Sequence, residues 1–408
     1  MEQILKFIET QRDLVIHLQT ELTKIKAINP ENGGNGEYDK FIFLKNYISG
    51  WGFDSIEEIF APDDRVTSKI RPTLVATLNG KQDKNLWIIT HTDVVPEGEI
   101  NLWETDPFSA VVKDDKIYGR GTEDNQQSLV SSLVAIKSLI ENKIKPEYTI
   151  KLMFVADEEV GSGYGIDWIL QNRFDLFKKD DLIITPDVGD PNGSVIEIAE
   201  KSILWVTFKI IGKQSHGSRP DKGINSARAS SYLCVKLDEE LHKKYCATNT
   251  LFDIPYSTFE PTKRVGSVTN MNTIPGEELL GFDCRILPQY LLTEVIDFIK
   301  NIVKEIEDRY NVKIEIAIAQ NLQAAPPTDK NAPVVKLLQK SINIVHKKET
   351  KLIGIGGGTV AAYFRMKGIP AALWSTVDNT MHAPNEYSSI KNTLSDAKVF
   401  ATMMIEKL

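Results

Sequence analysis

The chain has 408 residues, 42% of them hydrophobic and 25% charged, and a formal net charge of −8. These are ordinary globular values, and the length is enough for about two domains. The acidic balance and the lack of a Lys/Arg-rich run exclude a basic nucleic-acid footprint, and no run approaches the roughly 18 apolar residues that a membrane span needs.

Three cysteines, Cys234, Cys246 and Cys284, stand without any Cys-x-x-Cys pair. A reduced, cytoplasmic protein is expected, with neither a disulfide framework nor a thiolate zinc site. Apolar residues recur every three or four positions from Ile4 to Ile25 among charges, which predicts one amphipathic helix and no secretory leader. After the breaker cluster Asn29–Asn35, a second helix is expected over Tyr38–Trp51. Strands are expected over Thr73–Leu78 and Leu86–Thr90, separated by the turn Asn79-Gly80. A helix with a broad buried face follows over Asn125–Asn142, then a strand over Tyr148–Ala156, a short helix over Tyr164–Asn172 and a strand over Leu182–Thr185. Strands alternating with helices predict an α/β fold with a mostly parallel sheet.

The pattern changes after Glu200. Strands are expected over Ile203–Ile211, Val265–Thr269, Leu279–Ile286 and Val312–Ala319, and helices over Asn225–Tyr245 and Leu291–Tyr310. That order is the β-α-β-β-α-β of a ferredoxin-like α+β unit. Strand–helix alternation then resumes, with helices over Val334–Val345 and Val360–Met366, a glycine loop at Gly354–Gly358, a strand over Ala371–Trp374 and a last helix after Tyr387. The expectation is a discontinuous α/β domain, residues 1–199 and 323–408, with a smaller α+β domain inserted at 200–322.

Three of the expected strands run out into polar residues of metal-ligand type: His91 and Asp93; Asp157, Glu158 and Glu159; and Asp187. Ligands of open α/β sheets bind outside the carboxyl ends of the strands, so these groups converge on one crevice. Asp124 stands before its helix, and His382 follows the strand Ala371–Trp374 by a loop. Taken singly, Asp124 reads as a helix N-cap, residues 157–159 as a solvated acidic turn and His382 as a structural or exposed histidine. Taken together they read as a metal site. One or two histidines with several carboxylates suit Zn²⁺, and Co²⁺ or Mn²⁺ nearly as well. On a strand, residues i and i+2 face the same way, so Asp93 can accept the ring N–H of His91 and fix its tautomer. Glu158 and Glu159 are neighbours and do not both point at one ion. One is a ligand candidate, the other a general-base candidate beside a water.

At these residues the chain resembles the M20 metallopeptidase family of desuccinylases, deacetylases, aminoacylases, dipeptidases and carboxypeptidases. The resemblance rests on HTDVVP (His91–Pro96), YGRGTEDNQQ (Tyr118–Gln127), DEEVGS (Asp157–Ser162), TPDVG (Thr185–Gly189), QSHGSRP (Gln214–Pro220), NTIPGE (Asn272–Glu277), DCRILP (Asp283–Pro288), GGGT (Gly356–Thr359) and MHAPNE (Met381–Glu386), in the family's order. It implies two zinc ions per subunit bridged by Asp124, with His91 and Asp187 on one and Glu159 and His382 on the other. It makes Asp93 the orienter of His91 and Glu158 the general base. It also implies that the inserted domain is a lid carrying a homodimer contact. His216 of that domain would steady the oxyanion, while Asn272, Arg285, Gly357 and Gly358 would bind substrate.

The chain departs from common members at Asn125-Gln126-Gln127, where many have a lysine and a glycine, and at Val360-Ala361-Ala362 after GGGT. Asp187 stands where many desuccinylases and deacetylases have Glu, and Asp is frequent among dipeptidase-like and carboxypeptidase-like members. The expected activity is hydrolysis of the amide bond of a small N-acyl amino acid or dipeptide with a free carboxylate, of succinyl-diaminopimelate desuccinylase or acetylornithine deacetylase type. A dipeptidase or glutamate-type carboxypeptidase is the alternative. A catalytically silent metal-stabilised protein would lack Asp93 or Glu158, and both are present. A serine hydrolase would need Gly-x-Ser-x-Gly after a strand, and Gly161-Ser162-Gly163 lacks that spacing. A nucleic-acid or membrane partner is not expected.

Overall fold

The computed structural model describes all 408 residues, Met1–Leu408. Its chain divides into two compact units: Met1–Ile198 with Thr328–Leu352 and Thr359–Leu408, and Ala199–Pro327 with Ile353–Gly358.

The first unit is built on a six-stranded sheet. Its order is Ser55–Pro62, Ile70–Leu78, Thr149–Val155, Asn85–His91, Leu182–Ile184 and Ala371–Ala372. The first three strands pair antiparallel and the last four parallel, so the sheet is mixed with a mostly parallel half. The strand Asn85–His91 is buried throughout, as expected of a central strand covered on both faces. Alternate residues sort to the two faces. Trp87, Ile89, Met153, Val155 and Ile183 pack against the helices Ile166–Asn172 and Val360–Met366. Beyond the opposite face lies the helix Ser128–Glu141, most of whose side chains are buried.

Several expectations are corrected. The helix foreseen over Ile4–Ile25 is two helices, Glu2–Glu9 and Arg12–Lys24. The hydroxyl of Thr10 donates to the Phe7 carbonyl (2.7 Å), a local bond that competes with helix continuation at the junction. The turn Asn79-Gly80 does not join a hairpin, because Thr149–Val155 lies between the strands on either side of it. Gly80 is needed for a different reason: a Cβ there would meet the Tyr148 carbonyl carbon at 2.1 Å. The strand Ser55–Pro62 escaped notice because it lies at the edge and half of it is exposed, which blurs the period-two pattern. Val111–Lys113 and Lys116–Tyr118 are too short to show one.

In the second unit a strand–helix–strand–strand–helix–strand order forms a four-stranded antiparallel sheet. The spatial order is Thr258–Gly266, Glu277–Ile286, Ser202–Ile211 and Lys313–Leu322. Leu204, Val206, Phe208 and Ile210 alternate onto one face and meet the helices Ser226–Lys244 and Leu292–Tyr310 through Leu233, Leu237, Val295, Ile299 and Ile302. The strand expected at Val265–Thr269 is instead Thr258–Gly266. Its residues from Glu260 onward are all exposed at the sheet edge, with Glu260, Thr262, Lys263 and Arg264 polar, so no apolar alternation announces it. The glycine loop is also shorter than expected, because Gly354 and Ile355 end the strand Lys351–Ile355. No helix is long and apolar enough to cross a membrane.

One buried ion network supports the first unit. Arg71 donates through Nε to Glu37 Oε2 (2.7 Å) and through Nη2 to Glu37 Oε1. Its Nη1 lies 3.0 Å from Asp157 and 3.4 Å from Asp63, and Arg71 and Glu37 are fully buried. Removing one partner of such a network leaves uncompensated buried charge, at a cost of about 3–5 kcal/mol. Arg71→Met should therefore lower unfolding stability by about that amount in urea titration. A loss below about 1 kcal/mol, the range of a surface pair, would show that the network contributes little.

Candidate metal centre

The parallel strands Asn85–His91, Thr149–Val155 and Leu182–Ile184 end on the same edge of the sheet. His91 is the last residue of the first. Beyond it, Thr92 still donates to the Val155 carbonyl (2.9 Å), which keeps the outgoing chain beside the second strand. Asp93 follows, and its carboxylate accepts the backbone N–H of Glu158 and of Glu159, each at 3.1 Å. The turn that carries both glutamates is thus tied to the neighbouring strand end.

Asp157 is not part of the ligand set. Its backbone is left-handed (φ 69°), and its carboxylate accepts from Asn29 Nδ2 (2.5 Å) and the Tyr164 N–H (2.8 Å) while facing Arg71. It anchors the turn from behind and lets the next two side chains point outward. On the far side of that turn, the Tyr363 hydroxyl donates to the Gly161 carbonyl (2.6 Å).

Two groups of ligand atoms meet in front of the sheet edge: His91, Asp124 and Asp187, and Asp124, Glu159 and His382. In each group the atoms lie within 4.8 Å of one another. Asp124 is shared. Its Oδ1 is 2.9 Å from His91 Nε2, and its Oδ2 is 3.0 Å from His382 Nε2. Glu159 Oε2 is 3.1 Å from the same His382 nitrogen, and Asp187 Oδ1 is 3.6 Å from His91 Nε2. The first group is shielded, with the His91 side chain 2% exposed, whereas His382 is 54% exposed and opens the second group to solvent.

The other ring nitrogen of His91 turns inward. Nδ1 is 3.0 Å from the Asp93 carbonyl oxygen and 3.4 Å from its carboxylate. The closer acceptor is therefore the main chain of Asp93, not the side chain that the sequence suggested. The consequence is the same: Nδ1 carries the proton and Nε2 is left toward the ligand cluster.

The site concentrates negative charge. Asp93, Asp124, Glu158, Glu159 and Asp187 confront two imidazoles. Burial, followed by repulsion from Asp187, pushes the Glu158 carboxyl well above the usual range. Burial and the Asp124 charge raise Glu159 to about 7. Hydrogen bonding to Asp124 and Glu159 raises His382 to about 10. Burial works to raise Asp124, but contacts with His382 and His91 hold it below the carboxylate range. Glu159 Oε1 is buried without a hydrogen-bond partner. A bare buried carboxylate oxygen amid mixed imidazole and carboxylate donors fits a divalent cation such as Zn²⁺, Co²⁺ or Mn²⁺.

Asn125, noted in the sequence only as a departure from common members, donates through Nδ2 to Asp187 Oδ1 (2.6 Å) and to the Pro186 carbonyl (3.0 Å), holding Asp187 toward His91. Sequence reasoning gave no role to Glu123 and Glu386, both of which lie inside quoted motifs and are buried.

The remaining named residues belong to the second unit. His216 pairs with Thr273 in a two-residue ladder, and its Nδ1 accepts the Ser218 N–H (3.1 Å). Asn272 is adjacent, its carbonyl accepting the Gly217 N–H (2.7 Å). Arg285 already carries partners. Nε and Nη2 bind the two Asp283 oxygens (2.7 and 3.0 Å), and Nη1 binds the Gly356 carbonyl (2.9 Å). Arg285, Lys201 and Gly356 line a cavity of about 250 Å³, and Gly357 and Gly358 follow directly in the chain.

The profile of peptidase family M20/M25/M40 matches residues 87–406. An uncharacterised metallohydrolase of Methanocaldococcus jannaschii is 43% identical over 401 residues, which cover 94% of this chain and 97% of that protein. A succinyl-diaminopimelate desuccinylase of Rickettsia bellii is 25% identical over 397 residues, 95% of each chain. Human carnosine dipeptidase 1 shares the fold, with a TM-score of 0.76 over 99% of this chain and 98% of its own at 16% identity. With a family profile covering most of its length and a close relative aligned nearly end to end, the chain belongs to peptidase family M20/M25/M40 and is a metal-dependent hydrolase.

Proposed function

We propose that the protein is a dinuclear amidohydrolase acting on small N-acyl amino acids or dipeptides with a free carboxylate, with succinyl-diaminopimelate desuccinylase-like or acetylornithine deacetylase-like deacylation as the leading reading. The observation that carries this is Asp124, whose two oxygens face histidines on opposite sides while Glu158 stands in the same cluster. The residues that would hold the ions are His91, Asp124 and Asp187 for one, and Asp124, Glu159 and His382 for the other. Bound there, two divalent cations would supply Lewis acidity, polarising the scissile carbonyl and acidifying a water.

The chain's own groups do the rest. Glu158 takes the proton of the attacking water and passes it to the leaving amine, a task suited to a carboxyl whose proton affinity burial has raised. Asp93 holds the Glu158 turn in place through the two backbone N–H groups and fixes the His91 tautomer. His216 is assigned to the oxyanion, and Arg285, Asn272 and the Gly357-Gly358 loop to the substrate, on the strength of their motifs. The second unit is assigned a lid and homodimer role on the same ground. Asp187 favours one second reading, a dipeptidase or carboxypeptidase, because Asp at this position resembles those members.

The test is a panel of N-succinyl, N-acetyl and aminoacyl amino acids incubated with protein loaded with Zn²⁺ or Co²⁺, with amine release as the readout. Cleavage of at least one acyl amino acid in preference to dipeptides is expected. Preference for dipeptides would select the second reading, and no hydrolysis of any member would overturn the substrate class. On the preferred substrate, His216→Ala should lower kcat with metal content unchanged, and an unaltered kcat would remove His216 from the oxyanion.

A further inference from the structure

The segments that carry Asp124 and His382 are far apart in sequence, yet each is held by a carboxylate from the other. Glu123 precedes Asp124. Its Oε1 accepts the Asp378 N–H (2.5 Å), and its Oε2 accepts the Thr380 N–H (2.5 Å), the Thr380 hydroxyl (2.8 Å) and the Met381 N–H (3.0 Å). Those donors belong to the loop that leads directly into His382. Glu386 follows His382 by four residues. It accepts the N–H of Gly121 (3.0 Å), Glu123 (3.0 Å) and Asp124 (3.1 Å), and the Arg120 guanidinium (2.7 Å). Those donors belong to the turn that presents Asp124.

Both carboxylates are buried, 3% exposed for Glu123 and 0% for Glu386. Their oxygens are turned to donors, so neither belongs to the groups of possible metal ligands. A lone capping glutamate would stabilise one turn. Two glutamates exchanged between two turns do something more: neither ligand-bearing segment can shift without straining the carboxylate it lends to the other.

We propose that Glu123 and Glu386 form a reciprocal clasp and act as positioning residues, setting the separation of Asp124 and His382 that the second ion requires. The proposal rests on the dinuclear reading above. It predicts an asymmetry between the two residues. Glu123 holds only the His382 loop, so its loss affects the Asp124–Glu159–His382 group and spares His91–Asp124–Asp187. Glu386 holds the backbone of Asp124 itself, so its loss affects both groups.

Metal-free protein is titrated with Co²⁺ while visible absorption and calorimetry follow binding, and thermal unfolding of the metal-free forms is recorded alongside. Wild type should take up two ions. Glu123→Gln, which replaces one acceptor oxygen by a donor facing N–H groups, should keep one ion within a few-fold of wild type and weaken the other about 10–100-fold, the usual effect of losing a partner behind a ligand. Glu386→Gln should weaken both. Thr380→Val, which removes the hydroxyl that bonds Glu123 and the Tyr387 backbone while leaving both carboxylates in place, should weaken the same single ion less, and it serves if Glu123→Gln does not fold. Unchanged affinities for both ions in Glu123→Gln or Thr380→Val, with or without a lower melting temperature, would overturn the clasp and leave a purely structural role. A wild-type protein that binds fewer than two ions would overturn the dinuclear reading itself, a separate result.

Discussion

Glu158→Gln should lower kcat by about 10²–10⁴-fold, the range expected for loss of a general acid–base group, while metal content and melting temperature stay near wild type. Gln keeps the shape of Glu, and its amide cannot take up a proton from water. The backbone N–H of Glu158, which ties the turn to Asp93, is untouched by the change. His91, Asp124, Glu159, Asp187 and His382 also remain, so the residues proposed to hold metal are intact. Kinetics on the preferred amide, combined with metal analysis of the purified variant, check this. A variant with near-native kcat would move the proton-transfer role to another residue, whereas one that lost its metal would show Glu158 to be a ligand.

The second large effect is that of removing the metal. Chelation should abolish turnover, and Zn²⁺ or Co²⁺ should restore it; turnover that survives complete removal would sink the metal-dependent mechanism. The same ions should stabilise the fold, because a ligand that binds only the folded form at 100 times its Kd adds about 2.7 kcal/mol. This gain should depend on pH in a definite direction. Without metal, His382 is held protonated up to about 10 by Asp124 and Glu159. Its unfolded value is near 6.5, so this stabilisation is complete below about 6.5 and is lost as pH rises toward 10. Burial raises Glu159 to about 7 from about 4.5, which acts in the same direction between those values. The metal-free protein should therefore lose stability on going from pH 5 to pH 9, and metal affinity should rise over that interval as the ligands shed protons. Thermal melts with and without Zn²⁺ at several pH values read both, and a metal-free stability that rose with pH would contradict the charge arrangement.

The sequence carried much of the outline of the fold and little of what steadies it. The strand Asn85–His91 was legible because a wholly buried strand reads as an unbroken apolar run. His91, Asp93, Glu158, Glu159 and Asp187 were named because they follow such runs, and the structure brings them to one edge of the sheet together with Asp124 and His382. The edge strand Thr258–Gly266 was misplaced because a stretch exposed on both faces carries no period. Asp157 stood among the candidate ligands because nothing local reveals that Arg71, dozens of residues earlier, turns it inward. Glu123 and Glu386 were given no role for a related reason. A glutamate in a turn normally reads as solvated, and only the fold supplies the buried N–H groups that hold it.

The exchange of carboxylates between the Asp124 turn and the His382 loop also bears on how the site comes into being. Glu386 and Gly121 are 265 residues apart, so their contact is a long-range one. Such a closure must overcome loop entropy before the contact rewards it, and non-local pairings of this kind slow folding. During synthesis His91, Asp124 and Asp187 emerge well ahead of His382, and until the last stretch has been made and docked, the Asp124–Glu159–His382 group lacks its histidine. A nascent or truncated protein that stops short of His382 lacks both that ligand and the carboxylate of Glu386 that holds the Asp124 turn, and one that ends between the two keeps the ligand without the carboxylate.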